Sequence, residues 1–505
     1  MASLNRRGFL KSVGLGVAAL AVPGCCTAAA KAASKGKPNI VFIFADDQTY
    51  ESILTNTSKE IKTPNLHRLM NKGTTFTHAY NMGAWHGAVC VASRAMLNTG
   101  RFVWNAHKLD NKNAMQAEQQ AGRFWSTMMH KAGYETYFTG KWHVQIGLTS
   151  KEKQADGTVK QVSTGVFDNV GHVRAGMPRA TKDQYSRPVQ GVEGTWTPWD
   201  KSKGGYWEGG THWSEVVGNE SIGFIDAAAK KEKPSFMYLA FNAPHDPRQS
   251  PKKFVDMYPI EKLELPENYL DVYPYKDAMG CPAKLRDEAL APFPRTPYAV
   301  KTHRQEYYAI ITHMDQQVGR ILDEIEASGK ADNTYIFFSA DHGLSCGHHG
   351  LMGKQNMYDH SVRVPLMVVG PDVPAGKQID TPVYLQDIMA TSLELAGAKN
   401  TEHVEFKSLM PLIKGKRKQQ YEAIYGCYTH QQRMITLGDY KMIAYPEAQK
   451  LRLFNLKDDP QEMKDLADVA KYQVKKQEMF KALVKLNKQM KDVKVDLEAK
   501  FAGAV

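Results

Sequence analysis

The chain has 505 residues, 42% hydrophobic and 23% charged. It is long enough for one large α/β domain with a smaller companion, and too apolar for global disorder. A formal charge of +12 favours an anionic partner, because a positive field concentrates anions. No repeat interleaving aromatic and basic residues points to nucleic acid, which leaves a small or polymeric anion.

Residues 1–36 read as an export segment. "NRRGFLK" sets Arg6 and Arg7 ahead of Phe9 and Leu10, an apolar run from Val13 to Val22 follows, and small residues close the segment. The run is too short to anchor in a bilayer, and the arginine pair resembles a twin-arginine signal. "VPGC", ending at Cys25, resembles a lipobox, whose cysteine would carry lipid and attach the protein to a membrane. A plain cleaved signal is the other reading. Either way the mature protein is expected to be exported, periplasmic or membrane-anchored, and no later stretch is apolar enough to span a bilayer.

Beyond the segment, strand and helix patterns alternate. "PNIVFIFADDQ" reads as a buried parallel strand that delivers Asp46 and Asp47 at its carboxyl end. "TPNLHRLMNKG" follows as a helix with Pro64 near its start and Gly73 at its end. "TTFTHAY" is the next strand, and "CVASRAMLNTG" opens a helix with Cys90 at or near its N-terminus. "FWSTMMHKAGYETYFTGKWH" gives helix, turn and a strand ending in Lys141 and His143. Gly147 to His212 looks like an insertion with little periodicity. "EVVGNESIGFIDAAAKKEKPSFMYLAFNAPHDP" is helix then strand, ending at His245, and Pro251 to Pro297 is again irregular. "QEYYAIITHMDQQVGRILDEIEASG" is a strongly periodic helix, "NTYIFFSADHG" a strand ending in Asp341 and His342, and "VPLMVVG" a short strand. The pattern predicts an α/β fold over 37–399 with a large, mostly parallel sheet flanked by helices. Residues 400–505, with short segments and a Lys-rich terminal helix, read as a smaller C-terminal subdomain.

Ligands of open α/β sheets sit outside the carboxyl ends of the strands, and four predicted strands end in "ADDQ", "GKWH", "NAPHDP" and "SADHG". Asp46, Asp47 and Asp341 offer oxygens suited to Ca²⁺ or Mg²⁺, with His342 as a nitrogen neighbour; zinc would favour nitrogen and sulfur. Lys141, His143 and His245, joined by Lys354 from "GHHGLMGKQN", add cations and proton carriers. A cation, two lysines, an arginine and histidines make a pocket for a compact dianion such as a phosphate or sulfate ester. The six cysteines, Cys25, Cys26, Cys90, Cys281, Cys346 and Cys427, form no CxxC pair and no disulfide framework. Cys281 and Cys427 read as inert or paired, while Cys90 and Cys346 lie in stretches that look chemical. A plain thiol at a helix N-terminus is expected to have a lowered pKa.

Cys90, Ala92, Ser93 and Arg94, followed by "LNTG", resemble the signature of the formylglycine-dependent (type I) sulfatases of the alkaline phosphatase superfamily. "PNIVFIFADDQ", "TPNLHRLMNKGTTFTHAY", "GYETYFTGKWH", "NAPHDP", "SADHGLSCGHHGLMGK" and "LFNLKDDPQEMKDLA" fall in the family's order over nearly the whole mature chain. The resemblance implies an alkaline-phosphatase-like sheet with a smaller C-terminal α+β subdomain. It implies that Cys90 is oxidised to formylglycine, whose hydrate is the nucleophile. Asp46, Asp47, Asp341 and His342 would hold Ca²⁺, or Mg²⁺, together with the modified Cys90. Arg94 would stabilise the modified residue, and Lys141 and Lys354 would bind sulfate oxygens. His143 would contact the hydroxyl and assist elimination, and His245 would protonate the leaving alcohol, alone or with Lys354. Asp-His at 341–342, where many members carry Asp-Asn, resembles iduronate and choline sulfatases. Ala92 stands where most members carry proline, which bears on the maturation enzyme and fits a radical-type maturase. "NAPHDPRQSP" and "GKQNMYDHSVRVP" resemble bacterial sulfatases of sulfated glycans, so exo-acting removal of sulfate from a sulfated polysaccharide or oligosaccharide is expected. Aromatic and charged side chains of the two irregular regions suit sugars, or else cover the core. The alternatives are a phosphatase or phosphodiesterase of the superfamily, with a Thr or Ser nucleophile and two metals, and a non-catalytic sulfated-glycan-binding protein if Cys90 is never converted.

Overall fold

Eight strands form the main sheet: β1 (Asn39–Ala45), β2 (Thr74–Phe76), β3 (Glu135–Lys141), β4 (Asn169–Arg174), β5 (Ser235–Ala240), β6 (Thr334–Ala340), β7 (Leu366–Val369) and β8 (Lys377–Ile379). In this computed structural model residues 36–54, 60–153, 158–174 and 176–503 are described. The predicted export segment, with Cys25, lies outside them apart from Gly36. From Lys37 onward the chain forms one unit.

The strand order is β8-β2-β7-β6-β1-β5-β3-β4. Strands β6, β1, β5 and β3 are consecutive and parallel, and β4 extends the parallel run. Only β7 is antiparallel to its neighbours. The sheet is therefore mixed and mostly parallel, as the alternation of elements predicts. Residues 40–45 of β1 are buried on both faces, which is why that strand reads as an unbroken apolar run rather than an alternation. Phe42 and Phe44 pack edge-on against Tyr238 of β5, with ring centroids 5.0 and 5.9 Å apart.

The four parallel strands carry the four polar ends, and their register aligns them. Ala45 pairs with Ala340, Phe44 with Ala240 and Gly140 with Ala240. Gly140 has a φ of 101°, and a Cβ there would collide with the carbonyl oxygen of Ala240. Glycine alone permits that approach one residue before Lys141.

Helix α1 (Pro64–Lys72) begins at its proline and stops before Gly73, and α2 (Val89–Thr99) holds Cys90 as its second residue. Helices α3 (Trp213–Ala229) and α4 (Pro297–Ala327) pack on each other. Both start earlier than the periodicity alone indicates: the His212 side chain caps α3 by accepting from Ser214 N, and Thr296 caps α4 through Ala299 N with Pro297 at the first position.

A second sheet joins β9 (Ile424–Tyr428), β10 (Gln432–Leu437), β11 (Tyr440–Tyr445) and β12 (Lys450–Asn455) as an antiparallel meander. The Lys-rich α5 (Gln473–Gln489) turns Met479, Phe480, Leu483 and Val484 inward. The fifth strand comes from far upstream: Gly83–Ala84 pairs in parallel with Cys427–Tyr428, so this sheet grips the segment just ahead of Cys90.

The region Gly147 to His212 is more ordered than its composition indicates. It contains the hairpin Thr149–Lys153 with Val159–Ser163 and supplies β4. Its tryptophans cover the core: Trp196 and Trp207 are 8% and 6% exposed, under Arg187 and Lys201 at 5.0 and 5.1 Å. No helix among the described residues is long and apolar enough to cross a membrane.

Candidate active site

Asp46 and Asp47 leave β1 directly. The backbone of Asp46 donates to Ala243 O at 3.0 Å and that of Asp341 to Ala45 O at 3.2 Å, which stitches three strand ends together. Asp47 adopts a φ of 67°, a left-handed conformation that a non-glycine residue holds only when its surroundings enforce it. Tyr307 of α4 supplies that enforcement. Its hydroxyl donates to Asp47 O at 2.6 Å and accepts from Thr49 N at 3.0 Å. The Asp47 N–H in turn donates to Asp341 Oδ1 at 3.2 Å.

Cys90 reaches this edge from the first turn of α2. Its Sγ lies 3.2 Å from Asp46 Oδ1 and 3.6 Å from Asp47 Oδ1. Ligand atoms of Asp46, Asp47, Cys90 and Asp341 all lie within 4.8 Å of one another, and all four residues are buried. Arg94, one turn further along the same helix face, donates from Nε to Asp341 Oδ2 at 2.9 Å and from Nη1 to Lys141 O at 2.7 Å. Its guanidinium sits 4.8 Å above the Phe44 ring.

Two lysines complete the centre. Lys141 Nζ contacts Asp46 Oδ2. Lys354 Nζ lies 2.5 and 2.6 Å from the Asp47 oxygens and 3.0 Å from Cys90 Sγ. His245 Nε2 stands 3.7 Å from Asp47 Oδ2, and it also falls within ligand distance of Asp46 and Cys90. His245 lies five residues beyond the end of β5 rather than at it, in the turn that follows.

The electrostatics follow from three acids and three bases in a dry site. Burial, joined by repulsion from Asp341, lifts the Asp46 carboxyl to about 6 despite Lys141. Burial works the same way on Asp47, yet Lys354 and His245 hold it below the ordinary carboxylate range. Asp341 is held lower still, because Arg94 and Lys141 outweigh its burial. The Cys90 thiol is pushed well above its usual value by burial and by the Asp341 and Asp46 charges. This reverses the lowered pKa expected from its helix position: desolvation beside two carboxylates outweighs the helix dipole.

His143 follows Lys141 with a φ of 54°. Burial and the Lys141 and Arg94 charges push its imidazole down to about 2, so it is a neutral acceptor at working pH. A Cβ at Gly176 would strike this ring, which shows how closely the chain beyond β4 passes over it. His342 stands outside the four-residue set. Its Nδ1 is 3.2 Å from Gly343 O and its buried Nε2 has no partner among the described residues; burial lowers it to about 4. The other described cysteines take no part. Cys281, Cys346 and Cys427 are buried and free, and Cys346 packs with Leu344, Tyr307 and Tyr308 in an apolar cluster.

Three side chains that the sequence does not mark also meet here. Asp246 holds His245, Arg286 holds Asp246, and Asp287 holds Arg286. The only sequence signal for them is the acid that follows the histidine in "HDP"; "LRDEAL" lies in an irregular stretch with no strand to place it.

The donor set suits a hard divalent cation. Three buried carboxylates outnumber the one sulfur and the one imidazole, Cys90 and His245, that meet them, and His342 Nε2, without a partner among the described residues, adjoins them in the chain. A mixed, mostly parallel sheet with such a centre at its carboxyl edge is the architecture of an alkaline-phosphatase-like hydrolase.

The comparisons narrow that class. The Sulfatase family model matches residues 38–398, and the model for the N-sulphoglucosamine sulphohydrolase C-terminal region matches residues 347–489. The chain belongs to the sulfatase family and is a sulfuric ester hydrolase. An arylsulfatase of Clostridium perfringens is 28% identical over 497 residues, covering 89% of this chain and 94% of that one. An N-acetylglucosamine-6-O-sulfatase of Bacteroides thetaiotaomicron is 23% identical over 554 residues, covering 95% and 91%. A solved protein in complex with its substrate D-glucosamine-2-N,6-O-disulfate superposes with a TM-score of 0.68 at 21% identity, over 90% of this chain and 99% of that one. A phosphonate monoester hydrolase of Agrobacterium radiobacter gives 0.67 at 19%, over 90% and 96%. Both structures share the fold.

Proposed function

We propose that this protein removes sulfate from a sulfated glycan, with Cys90 as the precursor of a formylglycine and with Asp46, Asp47 and Asp341 as the cradle of Ca²⁺ or Mg²⁺. The observation that carries the reading is the meeting of Cys90 Sγ, three carboxylates, Lys141 and Lys354 in one buried centre. Relatives that act on N-acetylglucosamine and glucosamine sulfates support the sugar. The N-terminal arginine pair and small-residue stretch support export, with lipid at Cys25 as one outcome.

Each residue has a part that its position supports. The cation would supply Lewis-acid polarisation of the ester oxygens. The formylglycine hydrate would supply one hydroxyl for attack on sulfur and a second whose deprotonation frees sulfate. Arg94, locked by Asp341 and the Lys141 carbonyl, fixes the side chain at position 90 from one turn away. Lys141 and Lys354 carry fixed positive charge to the sulfate oxygens in a water-poor site, where such charge acts strongly. His143, neutral, accepts a hydrogen bond from the hydroxyl at position 90 and orients it for elimination. His245 directs Nε2 at the centre and donates a proton there to the departing sugar oxygen.

Ala92 supports conversion by a radical-type maturase. Two measurements test the whole reading. Mass spectrometry of the Cys90 peptide from the native source should give the mass of formylglycine, and unmodified cysteine there would sink it. The converted protein should hydrolyse an aryl sulfate faster than an aryl phosphate or phosphonate; the opposite order would make it a phosphohydrolase on the same fold.

A further inference from the structure

Arg286 sits where three loops of the centre meet. Its Nη1 donates to Asp246 Oδ2 at 2.6 Å, and Nη2 pairs with Asp287 Oδ1. Asp246 receives His245 Nδ1 at 2.8 Å through its carbonyl and 3.1 Å through its carboxylate. Asp287 Oδ2 accepts from Gln355 Nε2 at 2.8 Å, and the same amide donates to Gly87 O at 3.3 Å. Arg286 is thereby tied to the turn of His245, to the neighbour of Lys354 and to the segment entering α2. Both acids are buried, while the arginine side chain is 33% exposed.

Two buried carboxylates hold a guanidinium that still reaches solvent beside the candidate leaving-group acid. Nη1 also contacts Met177 Sδ at 2.6 Å and Tyr185 takes a further bond, and the five N–H donors still outnumber these partners. Two carboxylates already compensate the positive charge, so the exposed edge offers hydrogen bonds without a net pull on a second anion. Tyr185, half-buried and bonded to Arg286, adds a ring of the kind that packs on sugars. Asp246, which contacts both His245 and Arg286, places this edge beside the group proposed to protonate the departing sugar oxygen. We propose that Arg286, oriented by Asp246 and Asp287, donates hydrogen bonds to the hydroxyl oxygens of the sugar ring that carries the sulfate. This rests on the sulfated-glycan reading above, and it makes Arg286 a specificity residue for uncharged ring hydroxyls.

The test uses converted full-length enzyme, Arg286→Ala and Arg286→Lys, p-nitrophenyl sulfate, and a panel of hexoses and N-acetylhexosamines sulfated singly at each hydroxyl. For a sugar sulfate that the wild type cleaves, KM should rise about tenfold more than KM for the aryl sulfate in Arg286→Ala. Arg286→Lys should fall between, because it keeps the charge and loses the fork. It carries the test if thermal unfolding shows that the alanine variant does not fold. Equal KM changes for both substrate types, or a fall in kcat alone, would reduce Arg286 to a brace for His245 and overturn the proposal while leaving the glycan reading intact. A wild type that cleaves the aryl sulfate and no sugar sulfate would overturn the glycan reading itself.

Discussion

The ammonium of Lys354 lies 3.0 Å from the sulfur of Cys90 across 264 positions of sequence, while it chelates both oxygens of Asp47. One cation thus serves both the proposed nucleophile precursor and a carboxylate of the proposed cation cradle. Lys354→Ala should lower kcat/KM on an aryl sulfate by about 10²–10³, the loss expected when a preorganised donor to developing charge is removed. It should also leave Asp47 buried beside two other acids with only the more distant His245 and Lys141 to offset it, at a cost of up to about 3–5 kcal/mol. Added Ca²⁺ should recover much of that stability. Thermal unfolding in EDTA and in calcium measures both, and a variant whose deficit ignores calcium would contradict the shared role.

The cradle itself is tested by Asp341→Asn. Asp341 binds Arg94 at 2.9 Å and receives the Asp47 N–H at 3.2 Å, so the amide disturbs both the cation site and the arginine behind position 90. Bound metal, read by elemental analysis, should drop to background, and activity should fall at least about 10³-fold. Wild type stripped by EDTA should lose activity and regain it with Ca²⁺ or Mg²⁺. A metal-free wild type with full activity would remove the cation from the mechanism.

Much of this centre is legible in the sequence because strand ends are local signals. Asp46 and Asp341 follow apolar runs that read as buried strands, Lys141 ends a third strand, and parallel register then brings them together. Cys90 and Arg94 are legible as one face of a helix. What escapes the sequence is what loops bring in. Arg286 and Asp287 lie in a stretch without periodicity, and nothing local ties them to His245. The same holds for Gly83–Ala84, whose pairing with Cys427–Tyr428 joins the approach to α2 with a sheet more than 300 residues on. Side-chain environment is equally invisible: the high pKa of the Cys90 thiol comes from burial and from Asp341 and Asp46 at two strand ends remote in sequence, and the tryptophans of the long insertion prove to be core cover once Arg187 and Lys201 lie over them.

His245 should reveal itself through the leaving group. Its Nδ1 is fixed by Asp246, so Nε2 faces the centre. A nitrophenolate leaves without help, whereas a sugar alkoxide needs a proton. His245→Ala should therefore cost about 10²–10⁴ on a sugar or alkyl sulfate and less than about tenfold on p-nitrophenyl sulfate. Equal losses on both would move the histidine from proton transfer to simple sulfate binding.

Away from the centre, Glu462 gives a prediction in pH. Lys441 Nζ lies 2.7 Å from Asp359 Oδ1 and 2.8 Å from Glu462 Oε1, so two buried acids share one base. Burial, reinforced by Asp359 and opposed by Lys441, lifts Glu462 from 4.5 to about 7. Between those values the folded protein holds a proton that the unfolded chain has released, so unfolding stability falls as pH rises. The contribution is complete below the unfolded pKa and lost through about 7, and amounts to at most about 3 kcal/mol. Glu462→Gln cannot ionise. The urea midpoint of the wild type, taken relative to this variant, should therefore decline from about pH 5 to about pH 8. A wild type that gains on the variant over that interval would show Glu462 ionised in the fold, with Lys441 outweighing the cost of burial.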